Sequence, residues 1–399
     1  MTRFLHNIIA KVALVAALCI SLSSCSMMED DNKDCPTGLY VRFVYDYNTQ
    51  RADMFRDHVG HVKLYVYDES GRKVAERTVS NGIGSTPLTQ YGYSIHFSEG
   101  ELKPGRYRLQ AVAMQKDWDE ALKTDGAKYR RTESVSNHED LVISLDHAAE
   151  PMAGSNHHLV ENQGAPLDTL WHTLRVTSTK PAFGRTVPDL HPTRPPYSIY
   201  PLKDQLVAVE RDKATYATVS LVRDTKHLDL TLRQIDDPDN MFANDYVVDI
   251  IEPNAHLGHD NAVLESDSLL YRPYAQWTTR FDDSGVSVEP TPVKPALQRT
   301  AHYNVMFNRL VIDPDDTKKG AILRIRRLQT GKTVALMNLT QLLAQGRTAY
   351  ELQNYGAQEY LDREYDYHLD FLLKGDAWAY CDIVINVLSW SKRIQNESL

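Results

Sequence analysis

Apolar and polar residues alternate with a period of two through most of the chain, in short runs closed by turn residues, and this pattern predicts strands. Leu39, Val41, Phe43 and Tyr45 fall on one face of an extended segment, and Val62, Leu64 and Val66 repeat it before the hairpin turn Asp68-Glu69-Ser70-Gly71. Tyr107, Leu109, Ala111 and Ala113 follow the Pro104-Gly105 turn, and residues 141–145 and 170–176 add two more strands. Residues 36–180 therefore hold about six or seven short strands, which suits a two-sheet sandwich. A second series runs through 217–222, 227–232, 246–251, 303–311, 322–328, 365–373 and 382–390. Gln329-Thr330-Gly331-Lys332 supplies a hairpin turn in it, and residues 338–343 predict one short helix capped by Asn338 or Thr340.

Between the two series stand Pro181, Pro188, Pro192, Pro195, Pro196 and Pro201, a density that neither a helix nor a central strand tolerates. The expectation is an all-β chain of two tandem sandwich domains, residues 36–180 and 205–399, joined by a Pro-rich linker at 181–204. No heptad, solenoid period or low-complexity tract points to another architecture.

The front of the chain breaks the alternation. Arg3 and Lys11 are followed by an apolar stretch from Val12 to Leu22 and then by Leu22-Ser23-Ser24-Cys25. A bilayer core of about 30 Å needs about 20 apolar residues as a helix, so this stretch reads as a cleaved signal, not an anchor helix. The small residues before Cys25 predict cleavage after residue 24 by a signal peptidase of the lipoprotein type, with acyl chains such as palmitate added to Cys25. Several chains hold a protein on a bilayer far longer than one, at about 0.8 kcal/mol per buried methylene. An ordinary secretory signal is the alternative. Residues 25–35 then form an acidic tether. Its Ser26-Met27-Met28-Glu29-Asp30-Asp31 resembles the short acidic tag that carries lipoproteins of Bacteroidales-type bacteria to the cell exterior, although such a run is also a plain solvated stalk.

Without residues 1–24 the chain has 375 residues, about two domains at the usual size, and 42 basic against 53 acidic residues, or −11. That sign repels phosphate backbones, and no basic stripe overrides it, so nucleic acid is not an expected partner. Cys19 leaves with the signal and Cys25 is acylated. The remaining pair, Cys35 and Cys381, lies near opposite ends of the chain and is expected to stay as two separate thiols.

Candidate chemistry is sparse. There is no Gly-x-Ser-x-Gly elbow and no phosphate-cradling loop, and Gly82-Ile83-Gly84 lacks a third glycine. His138-Glu139 has Val142 where a zinc-protease histidine would stand. His256-Leu257-Gly258-His259-Asp260 groups two imidazoles with a carboxylate, but in a loop pattern without fixed geometry. Asp313-Pro314-Asp315-Asp316-Thr317 imitates a calcium loop but has Lys318 and Arg324 at its glycine and glutamate positions. No catalytic residue, metal or cofactor is expected. Tyrosine is abundant, with 22 residues against 9 phenylalanines. Tyr40, Tyr65, Tyr67, Tyr91, Tyr93, Tyr197, Tyr200, Tyr365 and Tyr367 lie in or beside strands, where rings pack half-buried.

The run Cys35-Pro36-Thr37-Gly38-Leu39-Tyr40-Val41-Arg42-Phe43-Val44-Tyr45-Asp46-Tyr47-Asn48, with Ala52-Asp53-Met54-Phe55 and Val62-Lys63-Leu64-Tyr65-Val66-Tyr67-Asp68, resembles the opening of the fimbrial anchor lipoproteins, the FimB-type and minor-fimbrium anchor subunits of Bacteroidales type V pili. Pro104-Gly105-Arg106-Tyr107 and Leu170-Trp171-His172 fall where that family has a turn and a late first-domain strand, with Thr173 in place of glycine. The closing Ile383-Val384-Ile385-Asn386 is similar to the family's last strand, and the likeness ends after Asn386. The resemblance implies two transthyretin-like β-sandwiches and a lipid-anchored subunit on the outer membrane, facing the exterior. It implies a fimbrial stalk subunit as partner, bound by strand addition at an open sheet edge. A surface glycan-binding lipoprotein, with Trp118 and Trp277 stacking on sugars, is the alternative. An open edge late in the chain favours the first reading and a flat aromatic platform the second.

Overall fold

A computed structural model describes residues 36–162, 164–179, 206–282, 297–313, 320–387 and 390–395. The first sheet has the strand order Lys73–Ser80, His61–Tyr67, Gly105–Met114, Leu170–Thr179, Ala214–Arg223, Gly38–Val44 and Ile95–Phe97, with Leu206–Val209 also paired to Gly105–Met114. The alternation settles which side chains face the core. Leu39, Val41 and Phe43 enter one core with Val62, Leu64, Val66, Leu109 and Val219, and a one-residue slip would turn that whole set outward. The sheet is not one-sided, however. Tyr65 and Tyr67 leave the opposite face of their strand and join Trp118, Tyr129 and Leu141 in a second core, which continues into the C-terminal half.

In that half, Ala275–Asp282, Leu297–Phe307, Lys226–Gln234, Asp366–Lys374, Ala377–Val387 and Trp390–Gln395 form one sheet in that order. Thr333–Asn338, Ile322–Arg327, Tyr246–Glu252, Ser268–Tyr271 and His157–Leu159 form another. Their apolar faces share one core, in which Leu230, Tyr303 and Phe371 meet Val248, Ile250 and Leu323. A smaller sheet orders Val263–Leu264, His256–Leu257, Ile143–Leu145 and Tyr129–Arg131. The chain is all-β. The expected helix is present as Leu339–Ala344, with the Asn338 side chain accepting from the Gln341 N–H. Two more short helices follow, Ala349–Asn354 and Ala357–Arg363. The first of these opens with a capping box in which Thr348 and Glu351 exchange side-chain bonds with each other's backbone N–H.

Strand partners differ from the expected division of the chain in two places. Leu206–Val209 and Ala214–Arg223 follow the proline-rich stretch yet pair within the first sheet, where Ala214–Arg223 lies parallel to Gly38–Val44. Conversely, Ile143–Leu145 and His157–Leu159 precede that stretch but pair with His256–Leu257 and Ser268–Tyr271. Period-two alternation fixes which face a residue takes and not which neighbour its backbone finds, so strands described on either side of the prolines share one sheet. The last expected strand is likewise divided, into Ala377–Val387 and Trp390–Gln395 paired antiparallel. The proline-rich segment 181–204, with Tyr197 and Tyr200, lies outside the described residues. So does the calcium-loop-like turn beyond Asp313.

Candidate functional site

The residues expected to carry lipid and export, Cys25 and Ser26, Glu29, Asp30 and Asp31, lie outside the described residues, as does Cys35. Where the chain enters the first sheet, Gly38 donates its N–H to the Lys213 carbonyl at 3.1 Å. Its φ is +84°, and a Cβ there would stand 2.2 Å from the Phe97 carbonyl oxygen, so only glycine fits this entry. From Gly38 the strand runs alongside Ala214–Arg223 in parallel register, Gly38 opposite Ala214 and Val44 opposite Ser220. Asp224 and Thr225 alone separate Arg223 from Lys226, the first residue of the strand in the next sheet.

Those two residues sit in a buried polar joint. Asp224 is 2.5 Å from Nδ1 of His172, and both are fully buried. Thr225 donates to the Asp168 carbonyl and accepts from the Leu170 N–H, while its hydroxyl meets that of Tyr129, which itself donates to Asn308 at 2.6 Å. Next along the chain, Lys226 Nζ donates to the carbonyls of Asp362 and Glu364, each at 2.9 Å. Burial pushes the Lys226 ammonium down to about 8, against the pull of nearby Asp362. Asp362 in turn takes a two-pronged contact from Arg309, at 2.6 and 3.1 Å, with neither side chain exposed. Arg363 pairs with Glu359 at 2.9 Å beside them. The buried cations Arg309 and Arg363 thus pair directly with Asp362 and Glu359, and Lys226 lies near Asp362 and Asp224. Losing one member of such a set strands its partner in a low dielectric, at a cost of about 3–5 kcal/mol.

Rings close the joint on its other side. Tyr45 meets Trp171 and Tyr365, and the Arg223 guanidinium lies 4.3 Å from the Tyr365 ring centre. Thr49 donates to Glu364 at 2.9 Å, and Arg363 lies over Tyr47. The opening segment after Gly38–Val44 is thereby fastened to the helices and strand of residues 349–366.

Beyond the joint, Ala275–Asp282 is the edge of its sheet. It pairs residue for residue with Leu297–Phe307, from Ala275 opposite Asn304 to Asp282 opposite Leu297, without a bulge. Among the described residues no strand pairs with its outer side. Gln276, Trp277, Thr278 and Arg280 are exposed, and Trp277 lies flat on His302 at 5.0 Å. Thr333–Asn338 is also an edge, but its pairing shifts register between Ile325 and Arg326 and its end turns at once into a helix.

The aromatic residues offered for sugar stacking are not brought together. Trp118 is buried beneath Arg131, in the wall of a cleft of about 350 Å³ that also presents Lys63, Glu76, Asp119 and Arg130. Tyr65, Tyr67 and Tyr367 are core residues, and Tyr40 is stacked between His96 and Tyr216. Tyr91 stands exposed, with the Arg56 guanidinium 5.6 Å from its ring centre. His256 bonds Ser144 while His259 packs edge-on to His138, so that pair does not converge either.

The sheets of this all-β chain thus meet at a buried joint of paired charges, and among the described residues Ala275–Asp282 is unpaired on its outer side. The chain belongs to the family of fimbrillin-A associated anchor proteins Mfa1 and Mfa2, whose family model matches residues 32–396. It is similar to a candidate polysaccharide-binding protein of Bacteroides thetaiotaomicron, with 26% identity, TM-score 0.59, and 90% of this chain and 99% of that one covered. A candidate adhesin of the same organism shares 22% identity at TM-score 0.63 and the same coverage. The fimbrial anchor protein Mfa2 of Porphyromonas gingivalis shares 13% identity at TM-score 0.50, again over 90% and 99% of the two chains. A comparison with curated proteins gives no match.

Proposed function

We propose that this chain is the anchor subunit of a fimbria, held on the outer membrane by lipid at Cys25 and facing the cell exterior, with an extended segment of the stalk subunit added to the Ala275–Asp282 edge. The observation that carries this reading is the order along the molecule. In chain order, the first sheet begins at Gly38, the joint follows Arg223, and Ala275–Asp282, unpaired on its outer side among the described residues, belongs to the sheet that Lys226 enters. A strand added there gains a full ladder of backbone hydrogen bonds at once, and such a complex dissociates slowly.

The path of load supports the same reading. A lipid tether would pull Gly38–Val44 from its first residue, whereas a filament would pull Ala214–Arg223 from its last. The two strands are parallel, so these forces act on opposite ends of the pair and shear its seven residue pairs together instead of opening them one by one. The buried joint passes that load between the sheets. The acidic residues Glu29, Asp30 and Asp31 serve as the export tag on this reading.

Removing the gene should leave filaments assembled but shed into the medium, because stalk subunits pair with one another without this chain. Cys25→Ala should do the same, with the protein lost from membranes or left as precursor. Alanine at Glu29, Asp30 and Asp31 should keep the lipid and abolish digestion by protease added to intact cells. Stalk subunit retained on cells lacking the gene would overturn the anchor reading. Sugar binding is the second reading, favoured by the 26%-identical relative. It predicts normal filaments and reduced binding to glycans.

A further inference from the structure

His147, His158 and Asp267 each offer one ligand atom within 4.8 Å of the other two. They come from separate parts of the chain: His147 follows the Ile143–Leu145 strand, His158 lies in His157–Leu159, and Asp267 directly precedes Ser268–Tyr271. Backbone pairing holds these segments together. His157–Leu159 runs parallel to Ser268–Tyr271, and Ala148 donates its N–H to the Leu159 carbonyl at 2.8 Å.

The hydrogen bonds of the two rings fix which nitrogen is available. His147 Nδ1 lies 3.0 Å from the Leu145 carbonyl, and His158 Nδ1 lies 2.9 Å from the Ala148 carbonyl. A carbonyl oxygen only accepts, so each Nδ1 carries a proton, and in the neutral ring each Nε2 carries the lone pair. This is the outer-shell arrangement that orients metal-binding histidines. The rings stand nearly perpendicular with centres 5.5 Å apart, and His147 Nε2 is 3.7 Å from Oδ2 of Asp267. Bonds of about 2.1 Å at a tetrahedral ion put neighbouring ligand atoms roughly 3.4 Å apart, so small side-chain rotations close the set.

We propose that His147 Nε2, His158 Nε2 and a carboxylate oxygen of Asp267 form a binding site for one divalent transition metal of the zinc class. Two imidazoles and one carboxylate suit zinc and its neighbours and suit calcium or magnesium poorly, since those take oxygen ligands. Water completes the coordination. The ion is a staple: it ties residues 147–158 to the start of Ser268–Tyr271 and so secures His157–Leu159, a three-residue edge strand. The site does not depend on the anchor reading.

The test uses the mature chain without an affinity tag, stripped with a chelator and titrated with zinc chloride by calorimetry. One tight equivalent per chain is expected, with a rise in melting temperature of a few °C at about a hundredfold excess over Kd. His158→Gln and Asp267→Asn should each weaken that equivalent by roughly 100-fold or more, and cobalt in place of zinc should lose its tetrahedral absorption band. Asp267 is 62% exposed at its side chain, so the metal-stripped D267N protein should melt with the wild type, which separates ligand loss from misfolding. Two outcomes would overturn the site: no one-to-one binding in the wild type, or unchanged zinc affinity in both variants. Either would reduce the cluster to a histidine–carboxylate contact on a chain with 15 histidines.

Discussion

Lys73–Ser80 and Ala275–Asp282 are both eight-residue strands at the edge of a sheet, yet only one is guarded. On the first, Glu76 pairs with Lys73 and Lys63, and Arg77 pairs with Glu101, at 2.6–3.0 Å. Its pairing slips between Val66 and Tyr67, and Lys73 is bonded outward to the Ser136 carbonyl. Charge, bulge and cover are the usual means of preventing an edge from recruiting another chain. The second edge has regular register, an exposed tryptophan and a lone arginine among its described side chains. Among the described residues, then, one edge carries such protection and the other does not, and the open one belongs to the sheet that Lys226 enters after the joint.

The comparison breaks first if charge is added to the open edge. Gln276→Lys with Trp277→Lys should abolish retention of filaments on cells, with stalk affinity falling by about 100-fold or more, whereas Val74→Lys on the guarded edge should leave both unchanged. Pull-down of the stalk subunit from each strain reads this directly. Next in size is the joint. Asp362→Ala strands the Arg309 guanidinium and removes a partner that favours the Lys226 ammonium, so urea unfolding should show a loss of about 3–5 kcal/mol. The isolated edge should still bind stalk subunit wherever the chain is folded.

A third contrast is buried acid against surface acid. Burial pushes Glu252 up to about 7 from 4.5. Folded Glu252 keeps its proton to higher pH than the unfolded chain, so its contribution is fully present below about pH 4.5 and is lost as pH rises through about 7. Glu252→Gln should therefore flatten the stability profile across that window and raise stability near pH 8 by up to about 3 kcal/mol. Smallest is Glu76→Gln on the guarded edge, where solvent-screened pairs are worth under about 1 kcal/mol and fade with salt.

Much of the strand pattern was legible because burial imposes its period on the residues directly: Leu39, Val41 and Phe43, or Leu228, Leu230 and Leu232, announce their face without a structure. The helix after Asn338 was legible from its cap, and the one after Thr348 had the Thr-x-x-Glu signal that could have found it. Pairing was not legible. Nothing local to Ala214–Arg223 says that its neighbour is Gly38–Val44, because the ladder between them is made of backbone groups common to every residue. The joint was hidden for a related reason: Arg309, Asp362 and Lys226 look like ordinary surface charges until the sheets bring them together. His147, His158 and Asp267 are likewise scattered, whereas His256 and His259, three positions apart in sequence, point to different partners.

The central claim is that a filament strand adds to Ala275–Asp282. Hydrogen exchange of the mature chain, measured alone and with purified stalk subunit, tests it most directly. Slowed exchange along Ala275–Asp282 with no change along Lys73–Ser80 is the predicted result. Binding that protects Lys73–Ser80 instead, or that leaves Ala275–Asp282 exchanging as fast as before, would contradict it.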